Sequence, residues 1–220
     1  MRDQTGTPGP ETSVVDLGPA TAGDLGDPGG LSDLVAALFA TTRAVTVERV
    51  GPSAYLVYLP GPRGVSGVQL RAVGAAQLTY TERVVRAIES SVRAHDDAPA
   101  RAALVAHDEG GAVALDVAAM AESALFDVDR IVTVGAAGAF VPRVPSQARM
   151  LCLEERTDLG ALLGSIVNAG SGNRLTVVFD GTGTSSPAER YVAGARLADA
   201  SDHSDVVRAI EDLRELGYLS

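Results

Sequence analysis

Lysine and tryptophan are absent from the 220 residues, cysteine occurs once and histidine three times. The single thiol, Cys152, excludes an internal disulfide. Its place in the apolar run Met150-Leu151-Cys152-Leu153 reads as a buried structural cysteine, and nothing points to an oxidising compartment. All 18 basic residues are arginine, which beside so much alanine, glycine and valine reads as codon bias rather than as a role for arginine. No stretch approaches the roughly 18 apolar residues of a membrane span. The acidic first residues lack the apolar segment of a signal peptide, so a cytoplasmic protein is expected. An excess of positive charge is also missing. The net charge is −10, which repels phosphate backbones and anionic lipid heads, so neither nucleic acid nor a membrane surface is expected as a partner.

What is present is enough apolar residue, 46 %, for one sizeable core. Residues 1 to 30 hold seven glycines and four prolines and cannot bury enough apolar surface to offset their ordering entropy. They read as a flexible arm ahead of a single domain over 31 to 220. In LSDLVAALFA, Leu31, Leu34, Val35 and Leu38 share one helical face, with Ser32 as N-cap. That face docks on its own domain or on another chain. RAVTVERV alternates as a half-exposed strand, and AYLVYLPG is a denser strand running into a turn. Thr79 and Glu82 have capping-box spacing, ahead of a stripe of Val84, Val85, Ile88 and Val92, with His95 at the end of that helix. AALVAH, IVTVG, RMLCLEE and RLTVVFD are further strands. A last helix carries Val206, Val207, Ile210, Leu213 and Leu216, with Ser204 as N-cap and Gly217 past its end. Strands alternating with helices predict an α/β fold, a doubly wound and mostly parallel sheet covered on both faces.

The informative stretch is LVAHDEGGAVALDVAA, residues 104 to 119. A strand that turns sharply into a helix strains its middle residue, and small residues two before and two after relieve the crowding; Ala106 and Gly110 flank Asp108 in this way. The helix N-terminus there favours an anion. The stretch resembles the nucleophile elbow of the α/β-hydrolase superfamily, in its Gly-His-Ser-x-Gly-Gly form found in esterases and lipases. Ala106 stands for the first glycine and Asp108 for the serine. The order of elements over about residues 45 to 215 fits the resemblance, which implies a minimal fold of that type without a cap domain. Only the 13 residues Ala136 to Ala148 lie where a cap would be inserted.

The resemblance further implies a triad in the order nucleophile, acid, histidine. Asp108, Asp158 and His203 occupy matching positions, and His203 is the only histidine after the elbow. Capping of a following helix is the rival role of Asp158, and a solvated surface residue that of His203. Glu154, Glu155 and Asp180 are alternative acids. The family's oxyanion hole would take the N–H of Glu109 and one from the loop at Gly61-Pro62-Arg63; Pro62 has no N–H, leaving Gly61 or Arg63.

Relatives of the family with aspartate at the elbow, haloalkane dehalogenases and epoxide hydrolases, attack an sp³ carbon and hydrolyse the resulting ester. They polarise the leaving group with tryptophan or tyrosine, usually from a cap, and this chain has no tryptophan. Carboxylate attack on an ester would give an unfavourable anhydride. The sequence therefore reads as a degenerate hydrolase relative with weak or no hydrolase activity and a binding or scaffolding role. The alternative is an active ester, epoxide or haloalkane hydrolase using Asp108 as nucleophile or base with His203 and Asp158. Neither a cofactor nor a metal is expected. Gly135-Ala136-Ala137-Gly138 lacks the third glycine of a dinucleotide loop, and no paired cysteines or His-x-x-x-His spacing occur. A small-molecule ligand or substrate, a protein partner or a second copy of the chain are the partners left open.

Overall fold

The computed structural model describes residues 13–19, 29–61, 74–121, 125–136, 144–157, 173–181 and 186–220. Within them the longest apolar runs form strands buried on both faces. The strands are β1 (Ser13–Pro19), β2 (Thr46–Gly51), β3 (Ala54–Leu59), β4 (Ala100–His107), β5 (Phe126–Val134), β6 (Arg149–Glu155) and β7 (Arg174–Asp180). They make one sheet in the order β1-β7-β6-β5-β4-β3-β2. Every neighbouring pair is parallel except the β2–β3 hairpin. Five helices are described: α1 (Leu31–Ala40), α2 (Gly74–His95), α3 (Gly110–Met120), α4 (Pro187–Asp199) and α5 (Ser204–Glu215).

Alternation along β4 divides the core in two. Ala103 and Val105 join the residues of α1, α4 and α5, while Ala102, Leu104 and Ala106 join those of α2 and α3. The sheet is thus covered on both faces, as a doubly wound α/β fold requires. No helix among the described residues is long and apolar enough to cross a membrane.

Several local readings are corrected. Ser13–Pro19 is not a loose arm: its backbone pairs in parallel with β7. The exposed edge of β7 offers ladder partners, and an edge position tolerates the Gly18-Pro19 end. Ser32 is not the cap of α1. The N–H groups of Leu31 and Ser32 donate instead to the Asp199 carboxylate at 2.7 and 3.0 Å, so the cap comes from the far end of α4. α2 starts at Gly74, upstream of the Thr79 cap; its stripe of Val84, Ile88 and Val92 is fully buried. The cap of α5 is His203 rather than Ser204, its Nδ1 accepting from Asp205 N at 3.4 Å.

One polar cluster ties the hairpin to the turn after α2. Arg49 of β2 grips Asp97 with two donors, Nε at 2.6 Å and Nη2 at 3.0 Å, and the Tyr55 hydroxyl donates to the same carboxylate. The Arg49 and Tyr55 hydrogen bonds hold the Asp97 carboxyl well below the usual carboxylate range. A lowered folded value means that this contribution to stability is present above the unfolded value, about 4, and is lost as pH falls through the folded one. Asp97→Asn removes the ionisable partner from both states. Urea midpoints should therefore show the variant less stable at neutral pH, with its deficit shrinking as pH drops below about 4. A deficit independent of pH would mean the carboxylate charge plays no part.

Candidate functional site

The corner after β4 is built by backbone crowding. Asp108 takes φ 52°, the left-handed region that few residues with a Cβ adopt. Its N–H donates to Val134 O of β5 at 3.2 Å, and its carbonyl accepts from Gly111 N at 3.0 Å as α3 begins. A Cβ on Gly110 would lie 2.3 Å from Leu59 O, and one on Gly111 would lie 2.7 Å from the Ala136 Cβ. Neither position admits a side chain. Gly61, with φ +81°, rests against the same corner; a Cβ there would meet His107 O at 3.3 Å. The strand-to-helix turn expected at Asp108 is present, Glu109 follows it with helical dihedrals, and Gly61 approaches it. Arg63 lies outside the described residues, as does Asp158. The Asp108 side chain is exposed at the head of α3.

The histidine expected opposite Asp108 is elsewhere. Two observations fix the course of the chain after β7. Tyr191, early in α4, packs edge-on against Phe179 at the end of β7, ring centroids 5.6 Å apart. Asp199, the last residue of α4, caps the start of α1 at the opposite end of the sheet. The 13 residues of α4 therefore carry the chain about 20 Å, from the carboxyl to the amino edge of the strands. His203 comes just after. α5 then lies along the amino edge, where Asp212 accepts from Arg149 Nη1 at 2.6 Å and Leu216 O accepts from Arg101 Nη2 at 2.8 Å. His203 is an exposed helix cap beyond the far end of the sheet and does not face Asp108.

The other two histidines do not replace it. His95 closes α2, its ring Nδ1 2.8 Å from Ser91 O, also towards the amino edge. His107 is at the carboxyl edge but immediately precedes Asp108. Its ring packs against Phe39, centroids 4.9 Å apart, and Tyr191, 6.1 Å apart, on the α1 and α4 face. The alternative acids are committed too. Glu155 accepts from Arg190 Nε at 3.0 Å and Thr157 Oγ1 at 2.9 Å, Asp180 accepts from Arg156 Nε at 2.5 Å, and Glu154 is fully buried.

Sequence reasoning missed the aromatic packing behind the corner. Tyr191, 4 % exposed, contacts Phe39, His107 and Phe179, and a Cβ on Gly135, φ +55°, would sit 2.3 Å from its hydroxyl. The available signal was Ser186-Pro187, a cap residue followed by proline at a helix start, which would have put Tyr191 in the first turns of a helix leaving the carboxyl edge. Cys152 is fully buried, and burial pushes its thiol up, away from reactivity. Among the described residues no group of three or more His, Cys, Asp or Glu is placed to hold a metal ion.

No protein-family model matches the chain, and no curated protein matches its sequence. Solved structures with a similar course of backbone include a dienelactone hydrolase from Anabaena variabilis ATCC 29413, 14% identical, covering 93% of this chain and 87% of that one with a TM-score of 0.48. Another is a sugar hydrolase from Lactococcus lactis, 11% identical, covering 92% and 91% with a TM-score of 0.44. The fold is a doubly wound, mostly parallel α/β sheet with a left-handed corner at Asp108. Its most constrained point is the corner itself: a left-handed residue between a buried parallel strand and a helix whose first two glycines lie close against neighbouring backbone and Ala136.

That packing makes a definite demand. Gly110→Ala places a methyl against the Leu59 carbonyl, with no flexible atom to yield, so the variant should lose about 3 kcal/mol or more in urea unfolding. A loss under about 0.5 kcal/mol, the range of an ordinary surface substitution, would show that the corner is looser than described.

Proposed function

We propose that this chain keeps the hydrolase-type corner without its turnover, and that its carboxyl edge serves to bind a small-molecule ligand or a segment of a partner protein. The observation that carries this reading is the position of the three histidines. Hydrolysis through an elbow residue needs an imidazole within hydrogen-bond reach, or one water away, to move the proton. His203 and His95 lie towards the amino edge, and His107 is wedged between Phe39 and Tyr191 on the strand leading into the corner. A fold alone carries no activity.

A second reading has one observation in its favour: Asp108 is held in a strained conformation at a helix N-terminus, where it could act as a base on water. One experiment separates the two. Short-chain esters, epoxides and haloalkanes are offered to the wild type, Asp108→Asn and Asp108→Ser. The proposed reading expects rates at the buffer level for all three, including the serine variant, because no histidine stands ready to activate the hydroxyl. Wild-type turnover that disappears in Asp108→Asn would replace it with the second reading.

A further inference from the structure

The opposite edge of the sheet carries a cleft that the binding reading above does not use. It opens beneath α5, at the amino ends of β6 and β7 and beside β5, with a volume of about 810 Å³. Three guanidiniums stand at it, from Arg130, Arg149 and Arg208, against the two carboxylates of Asp205 and Asp212; Arg174 also lines it, its side chain reaching the buried Cys152. This local excess of positive charge stands out in a chain whose net charge is −10.

The cations are arranged in depth. The Arg130 side chain is 17% exposed and forms the floor. Arg149 and Arg208 stand at the rim, with side chains 62% and 67% exposed. The carboxylates do not satisfy them. Asp212 is shared between Arg149 Nη1 at 2.6 Å and Arg130 Nη2 at 3.4 Å, and Arg208 Nη1 is 3.6 Å from Asp205, beyond a good hydrogen bond. Arg130 spends Nη1 on the Asp129 carbonyl at 2.8 Å, while its Nε is buried with no hydrogen-bond partner. A buried N–H without an acceptor is costly, and a planar guanidinium fork suits the paired oxygens of a carboxylate or phosphate. Met150, Leu151 and Leu213 supply apolar wall beside the charges. The volume is that of a cleft for an organic molecule rather than for a lone ion.

We propose that this cleft binds a small organic anion, with a phosphate or carboxylate head held by Arg130 and the rim arginines and an apolar body against Met150, Leu151 and Leu213. Thermal unfolding of the full chain is followed with phenyl phosphate, benzoate, inorganic phosphate and phenol. At concentrations about tenfold above its dissociation constant, the preferred aromatic anion should raise Tm by about 3 °C, and phenol should not. The stronger of the phenyl phosphate and benzoate responses identifies the head group. In Arg149→Gln/Arg208→Gln the affinity should fall at least about tenfold. Arg208→Gln alone, with no carboxylate in hydrogen-bond reach to lose, carries the same test if the double variant unfolds. No shift with either aromatic anion, or an undiminished shift in the variants, would overturn the proposal and leave the Arg–Asp pairs as the means by which α5 docks on the sheet. An equal shift with inorganic phosphate would overturn the apolar body.

Discussion

Everything at the carboxyl edge depends on how closely the chain passes over its neighbour at Gly110. β3 and β4 run side by side with Leu59 opposite Ala106, so the strand leaving Ala106 must cross the last carbonyl of β3 to become a helix. The crossing is too tight for any side chain, a Cβ on Gly110 falling 2.3 Å from Leu59 O. Two residues earlier, this forces Asp108 into the left-handed region, and one strand over it brings Gly61 against His107 O. The order of cause is from packing to conformation. Parallel strands set the spacing, the spacing demands glycine, and the turn then presents whatever residue stands at 108.

The two ends of the sheet differ in electrical character because of the direction in which helices return. Acids at the carboxyl edge are balanced locally, Glu155 by Arg190 and Asp180 by Arg156. At the amino edge stand Arg101 in β4, Arg149 at the start of β6 and Arg174 at the start of β7, and α5 lies there with Asp212 shared between Arg149 and Arg130 of β5. A carboxylate shared by two guanidiniums neutralises one charge while contacting two. The interior positions follow the same economy. The Asp129 carboxyl, pushed up by burial, receives the Tyr218 hydroxyl at 2.8 Å, so the C-terminus is pinned to the sheet by a hydrogen bond and not by apolar contact alone.

What the sequence made legible was local. Continuous apolar runs placed β6 and β7 with their observed bounds, and the left-handed corner at Asp108 followed from small residues flanking it. What it concealed was long-range or carried by the backbone. The cap of α1 comes from Asp199, 168 positions from Leu31, and no local spacing encodes it. β1 pairs through main-chain groups at a sheet edge, so a run rich in glycine and proline hides it. The placement of His203 is the most instructive. Chain order places it after the last strand, as the resemblance requires, but one helix, α4, intervenes. Each helix of a doubly wound sheet carries the chain from one edge to the other, so a single intervening helix moves an imidazole from the site to the opposite side of the molecule.

Backbone geometry by itself accommodates an aspartate at the corner. Among residues with a Cβ, aspartate and asparagine tolerate the left-handed region best, because a short polar side chain can hydrogen-bond locally. A carboxylate at the head of α3 also gains about 0.3–1 kcal/mol from the helix dipole, and its exposure spares it the cost of desolvation. All three conditions are met at Asp108 by backbone geometry alone. On the reading proposed above, a serine there would have no base to activate it, and its weaker tolerance of the left-handed region would remain. The residue at 108 is therefore one that the turn tolerates well, and the strain of the corner follows from sheet packing.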